Sequence, residues 1–197
     1  LDDYQRTALL LNNMGFVNAF RGNRRKALDN CLSALEIWEE TDYGRGVGAA
    51  YSTLGEIYRR FDQQEEALYH YEKALDIFSD ANDIEWMSIV RCGRGAALLV
   101  SGNPEKGIED IKWALDNGPE NLKPRALHYQ AHFFIVQEEW ISAKKYLEKA
   151  REISGRTGNR QYNFRSFADL IDIAWETGKF NQWKNSRDEL DRLCTQM

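Results

Sequence analysis

Residues 51–75, which read YSTLGEIYRRFDQQEEALYHYEKAL, decide the fold. Apolar and aromatic residues recur there at steps of three, four and seven, on both sides of the polar pair Asp62 and Gln63. This spacing predicts two amphipathic helices joined by a short turn. Gly55 and Ala67 fall where the helices would cross, because larger side chains would push the axes beyond about 8–10 Å. The stretch therefore predicts an antiparallel helical hairpin.

The small residues of this hairpin recur along the chain in one register. Gly15, Gly55 and Gly95 are evenly spaced along the sequence. A fourth copy follows at a slightly shorter interval, and a fifth is degenerate, with Ile171 and Trp183 at the small positions. Such repetition predicts stacked hairpins, since each leaves an apolar flank that only its neighbour can cover. We therefore predict an all-α fold, an α-solenoid of about five helical hairpins and ten helices.

The domain organisation follows from the same register. We predict a single repeat domain over residues 1–197. The predicted repeats span about 4–41, 44–80, 83–116, 121–154 and 159–195. Because the sequence begins at Leu1 and not at Met, we expect it to be a piece of a longer protein.

The motif within the hairpin resembles the tetratricopeptide repeat (TPR), whose spacing is aromatic-x2-Leu-Gly-x2-Tyr followed by Ala-x3-aromatic-x2-Ala. The matching residues are Tyr51, Leu54, Gly55, Tyr58, Ala67, Tyr71 and Ala74. The period, at about 40 residues, is longer than the commonest TPR period of about 34 residues. It is similar to the long repeats of kinesin light chain, of the Leu-Gly-Asn type of polarity adaptor and of bacterial signalling proteins such as STAND ATPases. The resemblance implies a right-handed superhelix whose first helices line a concave groove.

Composition narrows the class of protein. A net charge of -5 argues against a general nucleic-acid or membrane-surface binder, which would need a surplus of Lys and Arg. No apolar run approaches the length of roughly 18 residues that a membrane span requires, so we expect no such span. Cys31, Cys92 and Cys194 are odd in number and show no CxxC spacing, which predicts a reducing, cytoplasmic location.

The resemblance also implies where a partner would bind, namely at positions just after the first aromatic and just after the glycine of each repeat. Carried onto this sequence, these positions and their inward neighbours are Asn12, Phe16, Phe20, Ser52, Glu56, Arg59, Arg60, Leu99, Arg125, His128, His132, Arg165, Asp172 and Trp175. The Lys, Asn and Arg set that holds a C-terminal carboxylate in chaperone-binding TPRs is absent from them. The first helices carry much of the arginine, which favours an acidic or amphipathic peptide. The alternatives are a convex-face or homotypic contact, with the arginines merely capping and solvating helices.

Two histidines form the sharpest chemical pattern. His128 and His132 stand four residues apart on one helix face, the spacing of helical zinc ligands. Cys92 and Asp172 are the candidates for further ligands. The sequence lacks the Glu that follows the first histidine in zinc proteases, and ordinary polar groove residues explain the pair more simply. His70 lies outside this group and is predicted to be a surface residue of a second helix.

Two arginines interrupt the apolar stripe of the third repeat. Arg91 and Arg94 occupy the places that Tyr51 and Leu54 hold in the second. An unpaired buried guanidinium would be very costly. We therefore expect either ion pairs with an acid such as Glu56 or a loosely packed, exposed repeat.

The motifs of enzymes are missing from the sequence. The Gly93-Arg94-Gly95 stretch lies within a predicted helix with no strand before it, so it does not resemble a phosphate loop. We predict no enzyme and no cofactor. The expected function is a scaffold or sensor in signalling or regulation, which binds a peptide or protein surface in the concave groove. The alternative is a regulatory domain that responds to a small ligand or a metal.

Overall fold

The computed structural model describes residues 2–178, and within them the secondary structure is helical and contains no strand. The α-helices are α1 (Asp2–Phe20), α2 (Arg24–Glu40), α3 (Gly44–Arg60), α4 (Gln64–Asp80), α5 (Ile84–Val100), α6 (Pro104–Asn117), α7 (Lys123–Val136), α8 (Trp140–Thr157) and α9 (Arg160–Glu176). They form four hairpins and the first helix of a fifth. The predicted all-α, solenoid-type fold is thereby confirmed. The predicted tenth helix, residues 180–197 with Trp183, lies outside the described residues.

The turns between helices repeat as regularly as the helices. Left-handed backbone, with a positive φ, recurs at equal intervals at positions 22, 42, 62, 82 and 102, and again at positions 138, 158 and 178. Gly, Asp or Asn stands at each of these positions except Glu138. These residue types adopt left-handed backbone with the least steric cost. In the second hairpin each helix has 17 residues, so a helix and its turn make up half of the repeat.

The connection between α6 and α7 breaks this series. The chain passes from Asn117 through an extended Pro119 and a short 3₁₀ helix, Glu120–Leu122, before α7 begins. No left-handed residue stands at position 122, and the next one after Gly102 is Glu138. This irregular connection is the structural cause of the displaced fourth repeat.

The chain divides into two compact units, of which the first ends at Trp113 and the second begins at Ala114. In the first unit α1 contacts α3, and α3 contacts α5. In the second unit α7 contacts α9, and α8 packs against both. The first helices of neighbouring hairpins thus form a row in each unit. We call α1, α3 and α5 the first-helix row of the first unit, and α7 and α9 that of the second.

Small residues lie at the predicted helix crossings. A methyl group built on Gly15 would stand 3.0 Å from the carbonyl oxygen of Ala27. A methyl on Gly95 would stand 2.8 Å from the carbonyl oxygen of Gly107, and a methyl on Gly107 would stand 2.8 Å from the carbonyl oxygen of Gly95. Backbone therefore meets backbone where α5 crosses α6, which explains the absence of side chains at both positions.

Arg91 and Arg94 are paired across this crossing, but with a different acid from the one predicted. Arg91 Nη1 donates to Asp110 Oδ1 at 2.9 Å, and Arg94 Nε donates to Asp110 Oδ2 at 2.7 Å. The suggestion of Glu56 as the partner was wrong. The close approach of α5 and α6 instead places the buried Asp110 between the two guanidinium groups. The hydrogen bonds to Asp110 raise the pKa of Arg94 above its ordinary value.

His70 is also placed differently from the prediction. Its ring stacks on Tyr58, with centroids 5.1 Å apart and planes 7° from parallel, and on Tyr51 at 5.9 Å. The residue is half-buried between the tyrosines of α3, so its prediction as a surface residue was wrong. Burial lowers the pKa of His70 below its ordinary value, and the Glu66 carboxylate offsets part of this effect.

The glycine crossing predicts opposite effects for two Gly→Ala substitutions. Gly95→Ala should destabilise the fold, because overpacking of about 1–3 kcal/mol outweighs the helix propensity gained. Gly155→Ala is the matched control: it lies in α8 with nothing within 4 Å of the added carbon, so it should stabilise by about 0.5–1 kcal/mol. Urea unfolding followed by circular dichroism measures both. Equal effects of the two substitutions would contradict the crossing.

The lowered pKa of His70 predicts acid sensitivity. In the unfolded chain, His70 binds a proton once the pH falls below its ordinary pKa of about 6.5. In the folded chain, its lowered pKa keeps it neutral over part of this range, so the free energy of unfolding falls as the pH decreases. His70→Phe keeps the stacking on Tyr58 and removes the titrating group. Urea unfolding at neutral and mildly acidic pH should show a smaller loss of stability for His70→Phe than for the wild type. Tyr69→Phe, on the same helix, should lose as much as the wild type; identical pH profiles for all three proteins would refute this role of His70.

Candidate binding surface on the first-helix rows

A buried carboxylate organises the row of the first unit. Glu56 of α3 is 5% exposed and accepts a hydrogen bond from Arg59 Nη2 at 2.8 Å. Arg60 Nη1 lies 3.8 Å from the same oxygen, and the Tyr71 hydroxyl donates to the other carboxylate oxygen at 3.2 Å. Two guanidinium groups therefore converge on one carboxylate, which Arg59 contacts by a hydrogen bond and Arg60 by a longer ion pair.

Tyr71 reaches Glu56 through a slot that two glycines leave open. The tyrosine comes from α4 and is 1% exposed. An added methyl on Gly55 or on Gly93 would stand 2.7 Å from its ring. Because these glycines belong to α3 and α5, the ring is enclosed by two neighbouring first helices. The same small residues that set the helix packing therefore position the polar cluster.

One accessible part of this row is an aromatic and cationic pair. The Arg60 guanidinium lies over the ring of Phe20, 3.7 Å from its centroid, and so links α3 to α1. Phe20 also contacts Phe16, with ring centroids 4.7 Å apart. Phe20 is 37% exposed, and the side chain of Arg60 is 26% exposed. This pair offers an apolar face and a cation at one place.

Several of the predicted groove residues of the first unit lie too deep to present a surface. Asn12, Ser52 and Glu56 are buried, as is the candidate metal ligand Cys92, whereas Leu99 is half-buried. The side chain of Asn12 instead accepts a contact from the Cys31 thiol at 3.4 Å. Burial raises the pKa of Cys31 to about 12, so this thiol stays protonated at neutral pH.

Arginines of the second unit repeat the aromatic contact. Arg125 and Arg165 occupy equivalent positions, at the same distance in sequence before the small-residue positions 131 and 171. The Arg125 guanidinium lies 5.8 Å from the ring centroid of Tyr129, and that of Arg165 lies 5.6 Å from the ring centroid of Tyr162. Both arginines are half-buried. The first helices of this unit therefore present two guanidinium groups, each held against a ring.

The two predicted histidines converge on an aspartate that the sequence analysis missed. His128 Nδ1 lies 3.3 Å from Asp169 Oδ2, and His132 Nε2 lies 3.5 Å from the same oxygen. The rings of His128 and His132 are 4.9 Å apart between centroids. These three residues join α7 to α9. His128 is buried, while the side chain of His132 is 52% exposed.

Asp169 corrects the choice of Asp172 as the acid of this group. Asp172 lies one helical turn later and is exposed, and Cys92 lies buried in the first unit. Asp172 was selected from the sequence because it directly follows the small-residue position 171 of the fifth repeat. In the structure, Ser166, Leu170 and Ile173 are buried, and Asp169 is the acid that faces α7.

Trp175 of α9 is 68% exposed, which is more than the predicted site residues Phe16 and Phe20. None of the helices described is long and apolar enough to pass through a bilayer. The surface available for binding in the described part of the chain therefore combines arginines, aromatic rings and the His128–His132–Asp169 group.

Comparison with known proteins agrees with this architecture. Residues 6–80 match the family model of the tetratricopeptide repeat. The regulatory protein RapG of Bacillus subtilis (strain 168) is 24% identical over 125 residues, which are 63% of this chain and 34% of RapG. The chain thus spans about a third of the length of this curated relative.

Solved structures share the fold at low identity. A Rap protein complexed with competence and sporulation factor superposes with a TM-score of 0.83 at 16% identity, over 96% of this chain and 54% of that one. The repeats of a putative kinesin light chain from Podosopora anserina give 0.63 at 13% identity, over 98% and 96%. These likenesses bear on the fold alone. Residues 6–80 are therefore similar to the tetratricopeptide repeat, and the later helices that the structure describes continue the hairpin pattern.

Proposed function

We propose that this chain is an interaction module without catalysis of its own, and that it binds an acidic or amphipathic peptide or protein segment along its first-helix rows. The observation that carries the proposal is the repeated contact between first-helix arginines and aromatic rings. The three guanidinium groups lie 3.7, 5.8 and 5.6 Å from ring centroids in the cases of Arg60, Arg125 and Arg165.

The physical reason lies in the geometry of guanidinium. A planar fork of donors recognises a carboxylate through two parallel hydrogen bonds. A guanidinium that already rests against a ring loses less conformational entropy when it binds, so preorganisation adds to affinity. In the first unit, the exposed ring of Phe20 would also remove apolar side chains of the partner from water.

In the first unit, the charges of the second helix α4 support the same choice of partner. The solvent-exposed acids of α4 are Glu65, Glu66, Glu72, Asp76 and Asp80. An acidic segment would be repelled from this face and attracted to the arginines of the first helices. The two surfaces of this hairpin therefore differ in charge, and an acidic partner would bind the side of the first helix.

The relatives make a binding role plausible by analogy. RapG is named a regulatory protein, and the similar Rap protein was solved in complex with competence and sporulation factor. Likeness of fold does not transfer a ligand. The proposal for this chain therefore rests on its own arginines and rings.

A displayed library of random peptides provides a direct test. We expect selection on the wild-type chain to enrich sequences that contain Asp or Glu beside apolar residues. The affinity of an enriched peptide should fall by at least about tenfold in the double variant Arg125→Glu/Arg165→Glu, since hydrogen bonds to charged groups contribute about 1.5–3 kcal/mol each. Isothermal titration calorimetry measures the change.

The matched control reverses two charges on the other side of the same unit. Lys145→Glu/Lys149→Glu alters exposed residues of α8 and should change the affinity less than about twofold, apart from the salt-screened long-range effect. Circular dichroism should show that both double variants remain folded. Equal losses in the two double variants, or no enrichment of any peptide, would place recognition elsewhere.

A further inference from the structure

We propose that His128, His132 and Asp169 form a binding site for a divalent transition metal of the zinc class. The ligand atoms are His128 Nδ1, His132 Nε2 and Asp169 Oδ2, and one donor atom from each residue lies within 4.8 Å of the others. This site goes beyond peptide binding and does not depend on it.

The two distances from Asp169 match those between ligands on one metal ion. Bonds of about 2.0–2.1 Å at a tetrahedral angle separate neighbouring ligand atoms by about 3.3–3.4 Å. Asp169 Oδ2 lies 3.3 Å from His128 Nδ1 and 3.5 Å from His132 Nε2. Each imidazole nitrogen therefore already lies at the distance from the carboxylate oxygen that a shared metal ion would require.

The surroundings of Asp169 favour a cation at this point. Its Oδ2 atom is shielded from solvent and accepts no hydrogen bond of good geometry within the described residues. Its close polar contacts are the two imidazole nitrogens. A carboxylate oxygen in this position is stabilised by a positive charge placed between it and the nitrogens.

The ligand types select the metal. Imidazole nitrogen together with one carboxylate suits Zn²⁺ and its neighbours Co²⁺ and Ni²⁺, whereas Mg²⁺ and Ca²⁺ prefer oxygen ligands throughout. Three protein ligands leave a fourth position, and solvent reaches the group because the side chain of His132 is 52% exposed. A water molecule or a donor group of a bound partner can complete the coordination.

The position of the ligands gives the metal a structural consequence. His128 and His132 belong to α7 and Asp169 belongs to α9, so an ion would tie together the two members of the first-helix row. An ion that binds the folded chain more tightly than the unfolded chain raises its thermal stability. Metal occupancy would therefore hold the second unit in the arrangement described above.

The test is calorimetric titration of the full chain with ZnCl₂ after treatment with a chelator and removal of any affinity tag. We expect one ion per chain for the wild type, with a rise in melting temperature that the chelator reverses. Asp169→Asn and His132→Ala should each weaken binding by at least about 100-fold, because even the loss of an outer hydrogen-bond partner costs about 10–100-fold. Both variants should keep the wild-type circular dichroism spectrum.

Asp172→Asn is the matched control, because it changes an exposed acid one turn away on the same helix. It should bind zinc as the wild type does. Substitution with Co²⁺ adds a spectroscopic readout: the wild type should show absorption of four- or five-coordinate cobalt without a thiolate charge-transfer band. No binding at micromolar zinc, unchanged binding by Asp169→Asn, loss of binding by Asp172→Asn, or a thiolate band would each overturn the assignment.

Discussion

Close approach of neighbouring helices is the constraint on which the rest of the structure depends. Where α5 crosses α6, the carbonyl oxygens of Gly95 and Gly107 leave no space for a methyl group on the facing helix. Where α3 lies beside α5, Gly55 and Gly93 make room for the ring of Tyr71. That ring reaches Glu56, and Glu56 in turn holds Arg59 and Arg60. Absence of side chains at a few positions thus determines where the charged groups of the surface stand.

The turns provide the second constraint. Left-handed residues at equal intervals end each helix at the same point and start the next in the same direction. Each hairpin therefore presents its neighbour with the same apolar flank, which is the condition for stacking. The extended Pro119 and the 3₁₀ helix after it interrupt this regularity, close to the boundary between the two compact units.

The first-helix rows bring two kinds of chemistry to the surface. Arginines against aromatic rings provide oriented cations beside apolar faces, which suits carboxylates of a peptide. Two imidazoles and a carboxylate provide ligands for a metal ion within the second unit. Both arrangements are built on first helices, since these helices contact their counterparts in the next hairpin and so bring distant residues together. If both proposals hold, the row formed by α7 and α9 would carry a peptide-binding surface and a metal ion together.

Periodicity alone determined the all-α class, the hairpins, the helix crossings at Gly15 and Gly95, and the common face of His128 and His132. These features depend on residues close in sequence, or on a fixed interval, so a pattern reports them. The tertiary structure alone decided the partners: Asp110 for Arg91 and Arg94, Asp169 for the two histidines, and the tyrosines on either side of His70. A partner depends on the rotation of each helix about its own axis and on its crossing with the next. A shift of one residue turns a side chain by about 100° around a helix of about 3.6 residues per turn. The contact partner therefore cannot be read from the sequence where the repeat is irregular, as in the degenerate fifth repeat.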